Sequence, residues 1–198
     1  MPAGSYKDTL RHPGLSAFLW TQFLGALNDN VFKMIVSLLA ADLGLRGSGS
    51  ASLSLVGAVY ILPFFLFSGY AGHLADVFSK RAVLVATKFF EIGAMALGVF
   101  AFASGRFEFM LAVLFLMALH SVFFSPAKYG ILPEILAEKD LSRANGLLEM
   151  STFLAIILGT SLGSLILAAL KDRPEWIGLL LTLIAVIGTL ASFGIPKV

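Results

Sequence analysis

Apolar residues fill six long runs of this chain, at 15–41, 52–75, 82–104, 107–124, 146–170 and 176–195, separated by short polar intervals. A helix crossing hydrocarbon needs roughly 20 mainly apolar residues, so each run predicts a membrane-spanning helix. Alternation with period two, the mark of a transmembrane barrel strand, is missing from all of them. The expected fold is an all-α membrane protein of six transmembrane helices. The opening MPAGSYKDTLRHPG is polar and runs into an apolar segment too long for the core of a cleaved signal peptide. Residues 1–14 are therefore read as a cytoplasmic N-terminal segment and 15–198 as the six-helix domain. Gly47, Ser48, Gly49 and Ser50 predict a flexible first outer turn. The interval from Ser125 to Gly146, SPAKYGILPEILAEKDLSRANG, is long enough for a short surface helix over 133–141.

Composition strengthens this picture. The 198 residues are 58% hydrophobic and 13% charged, with a mean hydropathy of +0.91, far outside the soluble globular range. A net charge of +2 from so few ionised groups gives no footprint for nucleic acid. The placement of those groups matters more. With the N-terminus inside, Lys7, Arg11, Lys80, Arg81, Lys128, Lys139, Arg143 and Lys197 fall on the inner side and Arg46, Arg106, Lys171 and Arg173 on the outer, eight against four. Cytoplasmic loops carry such an excess, so both termini are expected inside. The chain has no cysteine, which removes thiolate chemistry, and His12, His73 and His120 stand at no metal-ligand spacing. No metal or cofactor is expected. No nucleophile, base and orienter recur at usable spacing, and Ser125 has no nearby histidine to activate it, so the pattern is not that of an enzyme.

Polar residues inside the runs carry the functional signal, because ionisable groups in hydrocarbon are costly and mark pathways or ligand sites. ALNDNVFKMI places Asn28, Asp29, Asn30 and Lys33 in the first span. Asp29 and Lys33, four apart with the acid first, are spaced for an ion pair along one helix. Lys88 and Glu91 share a face of the third span, and His120 lies in the fourth. Asn145 and Glu149 stand one turn apart at the inner end of the fifth span, where Gly159 and Gly163 form a small-residue stripe suited to close helix contact. Pro126 and Pro133 bracket Lys128 in a stretch of restricted backbone. This set of both charge signs and several amides suits a zwitterionic ligand or pairing among the residues themselves. Spacing leaves the two open.

The segment GHLADVFSKR, Gly72 to Arg81, resembles the loop between helices two and three of the major facilitator superfamily, with Gly72, Leu74, Ala75, Asp76, Lys80 and Arg81 matching, Ser79 in place of a glycine and Val77 in place of a basic residue. That resemblance implies a gating role for Gly72, Asp76, Lys80 and Arg81. The aspartate would cap and pair across the inner gate, and the basic residues would latch two halves together. NDNVFK in the first span, SPAKYGILPE after the fourth and ANGLLEMSTFLAIILG entering the fifth are similar together to the bacterial lysophospholipid transporter family, stand-alone or fused to acyltransferase and acyl-carrier-protein synthetase domains. The family implies twelve helices in two halves, so this chain would be an N-terminal half. It also implies lysophosphatidylethanolamine-type lipid moved by alternating access from the outer to the inner leaflet of the bacterial inner membrane for reacylation.

Expected partners are therefore the lysophospholipid, membrane lipids, a C-terminal six-helix half and an acyltransferase or acyl-carrier-protein synthetase. Asn28, Asp29, Asn30, Lys33, Lys88, Glu91, Lys128, Asn145 and Glu149 are the candidate substrate contacts. Phe18, Phe23, Phe32, Phe64, Phe65 and Phe67 are candidates for an acyl-chain slot. Two other functions fit the same residues: export of a polar solute or drug, and a non-transporting scaffold for a lipid acyltransferase.

Overall fold

A computed structural model describes residues 6–44 and 51–197. The turn at 47–50 and Arg46 lie outside the described residues, as does the side chain of Lys7. The described residues form eight helices and no strand: α1 (Tyr6–Leu10), α2 (Pro13–Leu43), α3 (Ala51–Val77), α4 (Lys80–Ser104), α5 (Phe107–Gly130), α6 (Leu132–Ile135), α7 (Glu138–Leu170) and α8 (Glu175–Ser192). Six of them, α2, α3, α4, α5, α7 and α8, are long and apolar enough to cross a membrane.

Local chemistry sets several ends. The Ser79 hydroxyl accepts from the Ala82 amide at 3.2 Å and caps α4, a cap of the ordinary kind for a residue with extended backbone. At its other end α4 stops at Gly105, whose φ of 64° is the left-handed conformation that glycine adopts without a Cβ clash.

Two boundaries differ from the sequence reading. The fourth span runs on through Pro126 to Gly130, so Lys128 sits on a helix rather than in a loop. Prolines are tolerated within membrane helices because neighbours re-satisfy the freed backbone groups, and Pro63 lies inside α3 in the same way. The expected surface helix over 133–141 is instead broken at Leu136, which is extended. The four residues of α6 precede the break, and α7 begins at Glu138, well before residue 146.

The bundle is organised around α2, which packs against α7 and α8, while α4 packs against α5 and α8 and α3 lies on α5. Lipid tails are as apolar as leucine, so small residues that admit close backbone approach do much of the fitting. A Cβ at Gly159 would lie 2.7 Å from the Asn30 Cβ, and one at Gly163 would lie 2.9 Å from the Met34 Cβ. The anticipated stripe thus marks the α2–α7 seam. Gly178 of α8 does the same against the Val99 backbone of α4. By contrast α3 and α7 bury little of their surface: Phe65 is 85% exposed and Phe153 63%.

Candidate functional site

Residues 22, 26, 29 and 33 recur at the spacing of one helix face, and together they line a cavity of about 280 Å³ bounded by α2, α3, α5 and α7. Its polar lining includes Gln22, Asp29, Asn30, Lys33, Ser121, Ser125, Lys128 and Thr152, with Lys88 and His120 at its border, and Tyr60, Phe64 and Phe124 supply aromatic wall.

Asp29 is 9% exposed and accepts a hydrogen bond from the Ser121 hydroxyl through Oδ2. Its Oδ1 is buried with no hydrogen-bond partner among the described residues. Lys33 forms no ion pair with Asp29 among the described residues. Its Nζ lies over the Tyr60 ring, 4.7 Å from the centroid, a cation–π contact that leaves its N–H bonds available. Asn30 donates to the Ala26 carbonyl at 2.7 Å, within its own helix. Across the cavity Lys128 donates to the Thr152 hydroxyl oxygen at 3.1 Å. That oxygen also accepts from Gln22 at 2.5 Å, and the Ser151 hydroxyl donates to Gln22 Oε1 at 3.0 Å. The cavity therefore holds Lys33 and Lys128, one acid and two amides, with a third lysine, Lys88, at its border and a buried acceptor still unspent.

Lys88 and Glu91 behave differently. Both are 0% exposed and form an ion pair along α4. Asn28 donates to Glu91 Oε1 at 3.0 Å, and the Thr189 hydroxyl of α8 donates to the Lys88 carbonyl at 3.2 Å. This cluster joins α2, α4 and α8 and satisfies its own charges, although Lys88 borders the cavity. Asn145 is exposed and makes no hydrogen bond or ion pair among the described residues, and Glu149 accepts from the Tyr129 hydroxyl at 2.9 Å. Neither lines the cavity.

At the end of the bundle bearing the α3–α4 turn, Lys80 pairs with Glu134 of α6 at 3.0 Å. Arg81 donates through Nε to the Ile195 carbonyl at 2.6 Å, tying α4 to the chain beyond α8. Asp76 is exposed and forms no hydrogen bond or ion pair among the described residues, and the capping role falls to Ser79. Gly72 is partly exposed with open space where a Cβ would stand.

Sequence reasoning missed Gln22, Tyr60, Ser121 and Thr152. Gln22 was findable, since it stands seven residues before Asp29 on the same face. The others depend on which helices α2 meets. The proposed aromatic slot does not assemble: Phe18 and Phe32 are fully buried in the packing, and Phe65 points outward.

Several known proteins are similar to this chain. A lysophospholipid transporter LplT of Photorhabdus laumondii subsp. laumondii is 32% identical over 198 residues, covering 100% of this chain and 46% of that protein. Proteins of the same name from two strains of Escherichia coli are 32% identical over 163 residues, 81% of this chain and 38% of theirs. The chain thus spans less than half the length of these relatives. Residues 18–197, nearly the whole six-helix bundle, match the Major Facilitator Superfamily, and the chain belongs to that family of membrane transporters.

Proposed function

We propose that the chain is part of a carrier that moves lysophosphatidylethanolamine-type lipid from the outer to the inner leaflet of the bacterial inner membrane, by alternating access, to supply reacylation. The observation that carries this reading is the cavity itself: an unspent Asp29 oxygen and the lysines Lys33 and Lys128 face one space walled by aromatic rings. A phosphate finds two lysines there, and an ammonium finds an acceptor whose burial is otherwise costly. The names of the relatives support the lipid class. A second six-helix half would close the site from the exposed sides of α3 and α7, and an acyltransferase or acyl-carrier-protein synthetase would consume the product.

In this mechanism the head exchanges places with protein partners as the halves rock. Lys128 releases Thr152 to meet phosphate, and Asp29 takes up the ammonium. Lys80, Arg81, Asp76 and Gly72 sit where a gate on the cytoplasmic side would work. Lys88 and Glu91 hold α2 and α4 in register behind the cavity. The test is uptake of labelled lysophosphatidylethanolamine into spheroplasts by the protein at its natural length. Asp29→Ala and Lys128→Ala each lower the rate by about tenfold or more, the scale of one lost charge-assisted hydrogen bond. Normal uptake by Asp29→Ala at normal protein level removes Asp29 from the role.

A further inference from the structure

A second cavity, of about 360 Å³, lies on the flank of the bundle where α3 ends and α4 begins, over α5. Leu74, Phe78, Ala86, Phe90, Leu119 and Phe123 line it, and Phe78 and Phe90 are themselves exposed toward the surroundings of the helices. Its two polar residues are Thr87 and His120. The Thr87 hydroxyl donates to the Leu84 carbonyl at 2.9 Å and is spent within its own helix.

His120 is not spent. It is 4% exposed, and neither ring nitrogen has a hydrogen-bond partner among the described residues. Nε2 stands 3.4 Å from Glu91 Oε2 without hydrogen-bond geometry, and the ring packs on Phe124 with centroids 5.8 Å apart. A carboxylate beside Nε2 favours the proton on that nitrogen, which leaves Nδ1 as a bare acceptor. Orphaned buried acceptors are rare and call for a ligand or another explanation. His120 is also the residue common to this apolar groove and the polar cavity. One imidazole stands where an apolar compartment meets a polar one.

We propose that the groove holds the single acyl chain of the amphiphile whose head occupies the polar cavity, and that His120 accepts a hydrogen bond from the free hydroxyl of its glycerol. The proposal rests on the lysophospholipid reading above. The imidazole shared by the walls of both compartments is what assigns the groove to that lipid's tail. Bilayer hydrocarbon is as apolar as the groove, so the groove places the tail without selecting it. Selection falls to the junction. A single-chain glycerophospholipid has a hydroxyl donor at the head–tail junction, while a two-chain lipid has an ester there, which donates nothing and leaves the imidazole unpaired. His120 is thus a specificity residue for one chain against two.

The test uses the natural-length protein in vesicles, with a 1-acyl lysophosphatidylethanolamine carrying a diazirine in its tail. Photolabel is expected on the α4 and α5 residues of the groove. A free-hydroxyl lysolipid should displace it about tenfold better than the 2-methoxy analogue, the size of one neutral hydrogen bond. His120→Leu should make the two competitors equal, and His120→Gln, which keeps an acceptor, should restore part of the difference. Ala86→Phe fills the groove while leaving His120 in place, and should lower labelling there. Label spread over the outward faces of α3 and α7, or equal competition against the unsubstituted protein, overturns the inference. A protein that transports lysophospholipid yet treats hydroxyl and methoxy alike sinks only this inference. One that transports no lysophospholipid sinks the functional reading beneath it.

Discussion

A lysine ammonium inside a helical bundle needs room as well as a counter-charge, and at Lys88 two glycines supply the room. A Cβ at Gly188 of α8 would lie 2.9 Å from the Lys88 Nζ, and one at Gly25 of α2 would lie 3.2 Å from it. The ammonium is thus slotted between two helices while Glu91 neutralises it. Removing one member of such a pair leaves a buried charge with no partner and costs about 3 to 5 kcal/mol, whereas replacing both with apolar groups is often neutral. Lys88→Met should therefore lower the unfolding midpoint in detergent sharply, and Lys88→Met with Glu91→Leu should recover most of it. A single variant as stable as the parent contradicts this account. In the sequence these residues were visible as a pair at one face of a helix, but their partners Asn28 and Thr189 were not, because neither lies near them in the chain. The same limit applies to Lys33. Four-residue spacing suggests Asp29 as its partner, yet α3 brings the Tyr60 ring to it and α5 brings Ser121 to Asp29.

At the scale of helices, the number and identity of the spans follow directly from the apolar runs, since hydrocarbon fixes the length of an element that crosses it. Their ends are less legible. Pro126 reads as a boundary in water, but in a membrane bundle the helix continues past it and carries Lys128 into the cavity. The glycine stripe of α7 was legible as a contact surface, though not which helix it meets. That pairing makes a prediction. Gly159→Leu introduces a Cβ that would stand 2.7 Å from the Asn30 Cβ and 2.9 Å from the Leu27 carbonyl oxygen, so α7 must move off α2. Overpacking of this kind costs about 1 to 3 kcal/mol, and it displaces Thr152 from Lys128 and Gln22 as well. Gly146→Ala lies on the same helix with open space around its Cβ, and should melt with the parent protein. Equal melting of both variants contradicts the seam.

Across the whole molecule, the distribution of charge between the two ends sets how the bundle sits in its membrane. Six alternating spans put both termini, the α3–α4 turn and the α5–α7 connection at one end. Among described side chains that end carries Arg11, Lys80, Arg81, Lys139, Arg143 and Lys197, with Lys128 drawn into the cavity; the opposite end carries Arg106, Lys171 and Arg173. Several of the first group are engaged, Lys80 with Glu134, Arg81 with the Ile195 carbonyl and Arg143 with Asp140. Translocation is decided before such contacts form, however, so the count of basic residues in short loops is the relevant quantity. The end with six should face the cytoplasm. Since no cysteine occurs in these 198 residues, a single introduced thiol reports its own side. Lys171→Cys should react with a membrane-impermeant maleimide in intact spheroplasts, and Lys139→Cys only after permeabilisation. The reverse pattern would place the Lys80–Glu134 ion pair outside the cell, and would overturn the proposal that a gate at this end releases lipid to the cytoplasmic leaflet.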